Sequence, residues 1–158
     1  MALLDQALEN SKNLFSTGEF ITKLGSLVNI VTDSKNALSA DDLTSYYTDG
    51  LSDILADLGI QTEIIDNPIK NAPPFLIGKR IESSELKTIL LYGHGDTVPL
   101  QKDLWNDGIN PRELKIVDEK IYGRGVADNK GQHLTNLMAL LSVLKTRKKL
   151  GFNIKIIF

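Results

Sequence analysis

The chain has 158 residues, with 18 Lys and Arg against 20 Asp and Glu, a net charge of −2, 42% hydrophobic residues and no cysteine. This length suits one domain with a buried core, and the near-neutral charge gives no field to gather nucleic acid or an anionic membrane surface. Without cysteine there are no disulfides, thiolate metal sites or cysteine nucleophiles, so any metal must be held by His, Asp or Glu.

At the amino end, Leu3, Leu4, Ala7, Leu8, Leu14 and Phe15 recur at near-helical spacing and Gly18 offers a stop. No basic segment precedes an apolar stretch as in a signal peptide, no run approaches the ~18 apolar residues of a membrane span, and the cytoplasm is the expected compartment. A second amphipathic helix is expected from Glu19, with Phe20, Ile21, Leu24, Leu27, Val28 and Val31 on one side. Ser39, Asp41 and Asp42 read as capping residues of a third helix that runs through Tyr46, Tyr47, Leu51, Ile54, Leu55 and Leu58 to Gly59.

The period then changes from helix to strand. Ile60 to Asp66 and Phe75 to Ile81 read as strands joined by a proline-rich connection. Thr88 to Tyr92 (TILLY) is an apolar run of the kind buried on both faces of a mixed or parallel sheet. Leu114 to Val117 and Lys120 to Tyr122 suggest a hairpin around Asp118 and Glu119, although glutamate suits a primed turn poorly. Leu134, Leu137, Met138, Leu141 and Leu144 form a helical face between about Gln132 and Lys148, with Lys145 to Lys149 crowding its end. After Gly151, Asn153 to Phe158 (NIKIIF) reads as a last strand. This order predicts an α/β fold, a three-layer α/β/α sandwich with a mixed sheet.

Two clusters carry chemistry. In YGHGDTVP, residues 92 to 99, His94 and Asp96 would share a face of an extended strand, and Gly93 and Gly95 remove bulk beside them so that backbone, metal or substrate could approach. A carboxylate beside a histidine fixes its tautomer and raises its basicity toward a metal. The alternative is a histidine at a strand end, hydrogen-bonded locally. In IYGRGVADNKGQ, residues 121 to 132, the phosphate-loop pattern G-x-G-x-x-G fails at Asp128. Gly123 and Gly125 could instead bend the chain to aim Asp128 at the sheet's carboxyl edge, where a carboxylate can bridge two metal ions. The alternative there is a glycine turn followed by an N-cap aspartate.

Together, HGDTVP at 94 to 99 and YGRGVADNKGQ at 122 to 132, with Trp105 between them, resemble the co-catalytic dizinc peptidases that include aminoacylase, carnosinase, carboxypeptidase G, acetylornithine deacetylase and succinyl-diaminopimelate desuccinylase. The resemblance covers about the last 100 residues. It implies that His94 ligates one zinc, Asp96 orients His94 as the catalytic second residue, Asp128 bridges two zinc ions, and the Asp128–Asn129 peptide is cis. Cobalt or manganese are alternative metals.

By the same resemblance, a glutamate pair beyond NIKIIF would supply the general base and a ligand, and a later acidic residue and histidine would complete the metal shells. Residues 1–158 would then be the amino-terminal portion of a zinc-peptidase catalytic domain without its lid or dimerisation domain, inactive by itself and binding metal weakly if at all. The intact protein would hydrolyse a peptide or N-acyl amino acid, as a possible homodimer. A non-enzymatic partner-binding or decayed hydrolase domain is the alternative. His133 is read as a helix-surface or supporting group rather than a ligand, Trp105 as packing over a core edge, and Arg124 as structural or solvated.

Overall fold

Residues 2–34 and 40–158 are described in a computed structural model. The first helix, α1 (Leu3–Ser16), begins where the Ala2 N–H donates to the Asp5 carboxylate and ends before Gly18, whose φ of 80° reverses the chain into α2 (Glu19–Asn29). Much of the apolar stripe of α1 is exposed, including Leu3, Leu4, Leu8 and Phe15, whereas Leu24, Leu27 and Val28 of α2 are buried.

The third helix is not continuous. It is built of α3 (Ala40–Ser45), a π-helical segment (Tyr46–Leu51) and α4 (Ser52–Asp57). The segment buries Tyr46, Tyr47 and Leu51, and Gly50 leaves the space that Leu27 of α2 and Ile30 just after it occupy. Ser39 lies outside the described residues, and Asp41 and Asp42 sit within the first turn of α3, where acidic groups favour the positive helix end.

Four strands form a mixed sheet in the order β1 (Gln61–Ile65), β2 (Phe75–Arg80), β6 (Asn153–Ile157), β3 (Thr88–Tyr92). β1 and β2, and β2 and β6, are antiparallel, while β3 runs parallel to β6 with Leu91 opposite Ile156. A parallel neighbour needs a long crossover, and α5 (Lys130–Arg147) supplies it. Lys148 ends α5 in the left-handed conformation, so the helix stops before Gly151. The hairpin is present as β4 (Lys115–Val117) and β5 (Lys120–Tyr122), with Asp118 and Glu119 both left-handed, so Glu119 takes the primed-turn conformation despite its Cβ.

Leu76 and Gly78 of β2 and Ile154 and Ile156 of β6 face the buried residues of α2, α4 and α5. On the opposite face Ile77, Leu90, Tyr92 and Lys155 are exposed. The expectation that TILLY is buried on both faces is not met within residues 1–158, where Leu90 is 67% and Tyr92 68% exposed. β3 is an edge strand of this sheet, and among the described residues the helices cover one face only. No helix of the described residues is long and apolar enough to cross a membrane.

Candidate metal centre

β3 delivers His94 to the carboxyl edge of the sheet. The ladder continues one residue beyond the strand, with the Gly93 N–H donating to Ile157 O, and the following loop is pinned from the segment after α2. Thr32 Oγ1 donates to Gly95 O at 2.6 Å, the Thr97 N–H to Thr32 O at 2.8 Å, and Thr97 Oγ1 to Asp33 Oδ1 at 3.2 Å.

His94 Nδ1 lies 3.0 Å from Asp96 Oδ1 and 3.1 Å from Asp96 O, so Asp96 does reach the ring, from a loop rather than a strand. Both partners accept, so Nδ1 carries the hydrogen. Gly93 and Gly95 serve a purpose the sequence did not disclose: a Cβ at Gly93 would strike the ring of Phe158, and one at Gly95 the ring of Tyr46. The space beside His94 is filled by core aromatics.

Asp128 arrives from the second cluster. Arg124 N–H donates to Pro111 O, Gly125 turns the chain at a φ of 86° against Thr97 and Lys130, and the Asp128–Asn129 peptide is cis, as the resemblance implied. Asn129 occupies the N-cap position of α5, so Asp128 is not an N-cap residue. Its side chain is 82% exposed, with Oδ1 3.1 Å from His94 Nε2.

Behind this pair a polar chain runs from the half-buried Asn129 inward to the buried His133 and Tyr46. Asn129 Oδ1 accepts the His94 N–H at 3.2 Å and faces His133 Nδ1 at 3.0 Å, while Asn129 Nδ2 donates to Gln132 Oε1 at 2.7 Å. His133 Nε2 lies 2.6 Å from the Tyr46 hydroxyl, and its ring packs edge-on to Phe158. His133 is 2% exposed, not on the helix surface; burial, then the neighbouring His94 and Lys130, push its pKa down to about 3.

Lys130, 1% exposed, donates to Leu27 O and Ile30 O at the end of α2 and stands 4.9 Å from the Tyr46 ring centre. Burial lowers its pKa to about 8 against the opposing pull of Asp33 and Asp96, and burial raises that of Tyr46 well above the usual phenol. The link from Asn129 to His133 was legible as an i, i+4 pair at a helix start. The Tyr46 end was not, because it comes from a segment 87 residues away.

The donor set matches part of a zinc shell. Ligands at ~2.0–2.1 Å from a tetrahedral zinc stand ~3.3 Å apart, and His94 Nε2 and Asp128 Oδ1 are 3.1 Å apart with Nδ1 committed to Asp96. The pair fits two adjacent positions of a metal shell. It does not fill one, since among the described residues no group of three or more His, Cys, Asp or Glu could hold a metal ion. A cavity of about 540 Å³ opens beside His94 and Asp96, with Tyr47, Pro74, Tyr92 and Phe158 also in its wall.

The other candidates are structural. Trp105 Nε1 donates to Leu100 O, and the Arg124 guanidinium lies over the indole at 5.2 Å and donates to the same carbonyl. Lys145 and Arg147 occupy the last turn of α5.

The sequence profile of Peptidase family M20/M25/M40 matches residues 90–158. The Beta-Ala-His dipeptidase of Mus musculus is 38% identical over 123 residues, covering 77% of this chain and 24% of that protein. The Cys-Gly metallodipeptidase DUG1 of Saccharomyces cerevisiae is 38% identical over 90 residues, 54% of this chain and 18% of that protein. Human carnosine dipeptidase 1 superposes with a TM-score of 0.80 at 28% identity, over 99% of this chain and 34% of its own. The Saccharomyces cerevisiae di-peptidase Dug1p, at 22% identity, has a TM-score of 0.78 over 100% of this chain and 35% of its own, which shows a shared fold. The chain thus spans about a quarter of the mouse relative and about a third of the human structure. It is a partial-length relative of the M20/M25/M40 peptidases, matched to that family in sequence over residues 90–158 and in fold over nearly its whole length.

Proposed function

We propose that this chain supplies part of the metal centre of a zinc-dependent metallopeptidase that cleaves dipeptides or related N-acyl amino acids. His94 Nε2 and the Asp128 carboxylate are the metal donors, and Asp96 holds His94 by its Nδ1–H. The observation that carries this reading is the alignment of the three groups: Asp96 Oδ1, the His94 ring and Asp128 Oδ1 in series at 3.0 and 3.1 Å. The dipeptidase names of the relatives support the substrate class.

Zinc, when bound, supplies a Lewis acid for the scissile carbonyl and a water of lowered pKa. The residues of this chain do the rest of what is attributable to it. Asp96 fixes the tautomer that leaves the Nε2 lone pair free, and the exposed Asp128 presents its carboxylate beside that nitrogen, where the two would hold metal. The adjoining cavity, with Tyr47, Pro74, Tyr92 and Phe158 in its wall, offers an apolar surface for a substrate side chain. In this reading residues 1–158 are the amino-terminal portion of a catalytic domain, and the remaining ligands and the general base belong to sequence outside them.

The test is metal analysis and dipeptide hydrolysis by the intact protein beside its His94→Ala variant. Zinc content with zinc-dependent cleavage that His94→Ala abolishes is expected. Cleavage that persists after chelation, or is indifferent to His94→Ala, overturns the reading.

A further inference from the structure

We infer that His133 is a positioning residue for the metal pair, acting through the Asn129 carboxamide. The inference rests on the proposed metal roles of His94 and Asp128.

The hydrogen-bond partners determine each group's role in turn. A backbone N–H can only donate, so the Asn129 atom that meets the His94 N–H is the carbonyl oxygen Oδ1, and Nδ2 is left to donate to Gln132 Oε1. Oδ1 also faces His133 Nδ1 at 3.0 Å, so Nδ1 must carry the hydrogen. Nε2 is then the acceptor, and the Tyr46 hydroxyl donates to it at 2.6 Å. The chain of donors runs from Tyr46 to His133 to Asn129, where it meets the His94 N–H from the other side.

Asn129 directly follows Asp128, and its side chain is bonded to the backbone of His94. The carboxamide therefore ties together the two residues whose side chains face one another at 3.1 Å. Its orientation is held by the His133 N–H, and the His133 ring is in turn locked by Tyr46 and by Phe158 at 4.8 Å between centroids. A histidine that only filled core volume would bury two polar nitrogens where an apolar side chain would pack without them. Here both are satisfied, and the inner one points at the residue beside Asp128.

Two substitutions in the intact protein separate positioning from packing. His133→Asn keeps an amide N–H near the position of Nδ1 and abandons Tyr46. His133→Gln extends its amide toward Tyr46 and offers Asn129 no donor. Both lose the ring and are expected to unfold at similarly reduced denaturant concentrations.

Zinc affinity, read by competition with a chromogenic chelator, is expected to fall about tenfold or more in His133→Gln and to stay within about threefold of wild type in His133→Asn. Equal zinc affinity in both variants, whether unchanged or reduced in step with stability, overturns the inference. In the metal-free wild type, nitrogen-15 NMR of His133 is expected to report the Nδ1–H tautomer at neutral pH, and an Nε2–H tautomer overturns it even where the variants fail to fold. Failure of the metal assignment itself registers separately, as zinc affinity that His94→Ala leaves unchanged.

Discussion

His94 Nε2 and Asp128 Oδ1 stand 3.1 Å apart although 34 residues separate them in the chain. One is carried on the loop after β3 and the other on the turn into α5, and the Asn129 side chain bonds the two segments directly. With the His94 hydrogen on Nδ1, Nε2 and the largely exposed Asp128 carboxylate face each other as two acceptors, so the contact is not a stabilising ion pair. Its cost or benefit lies in metal binding.

Removing either facing group should therefore separate binding from folding. Asp128→Asn is expected to lower zinc affinity of the intact protein by at least about tenfold while the unfolding midpoint in urea changes little, because the side chain is exposed and the substitution is isosteric. Isothermal titration with zinc beside a urea denaturation curve checks both halves.

The isolated 158-residue chain offers two facing donors where a catalytic zinc takes about three protein ligands. Calorimetric titration of this chain alone is expected to show weak zinc binding, and two tight sites would contradict the assignment of the missing ligands to sequence outside it.

Asp96 acts on His94 from behind. Asp96→Ala in the intact protein should reduce turnover by about 10–100-fold and leave part of the metal bound, since the ligand nitrogen survives but its tautomer and orientation are released. Steady-state kinetics with metal analysis on the same sample makes the comparison.

Buried His133 predicts an acid-sensitive fold. Its folded pKa of about 3 lies below the ~6.5 of an unfolded histidine, so between those values the unfolded chain binds the extra proton. The stability it confers by staying neutral is complete above pH ~6.5 and is lost as pH falls toward 3, at up to about 1.4 kcal/mol per pH unit from this group. Urea midpoints of the intact protein between pH 7 and 4 should fall along this limb, and His133→Asn should flatten it.

The glycines flanking His94 make a prediction about packing. Gly93→Ala and Gly95→Ala place a methyl against the rings of Phe158 and Tyr46 respectively. Overpacking of this kind costs about 1–3 kcal/mol, and chemical denaturation should show it even where the metal donors are untouched.

Local periodicity and turn chemistry determined most of the elements on their own. Gly18 divides α1 from α2, the strands fall at 61–65, 75–80, 88–92 and 153–157, and the hairpin turns at Asp118 and Glu119. The HGDTVP and YGRGVADNKGQ clusters likewise named His94, Asp96 and Asp128 as candidates, and the roles proposed for them came from the resemblance those clusters carry. The break of the third helix at Tyr46–Leu51 did not show in that pattern, since the apolar spacing is nearly the same for an α- and a π-turn while the choice is made by packing against α2.

What the tertiary structure decided is everything that depends on two distant segments sharing one volume. TILLY reads as a doubly buried strand, yet within residues 1–158 it lies at the sheet's edge with one face uncovered, because burial is a property of neighbours and not of a strand's own composition. Gly93 and Gly95 look like openings for a ligand, and it is Phe158 and Tyr46 that require their missing side chains. The series Tyr46–His133–Asn129–His94 could not be foreseen, since hydrogen bonds are satisfied by position in space and two of its members lie 87 residues apart.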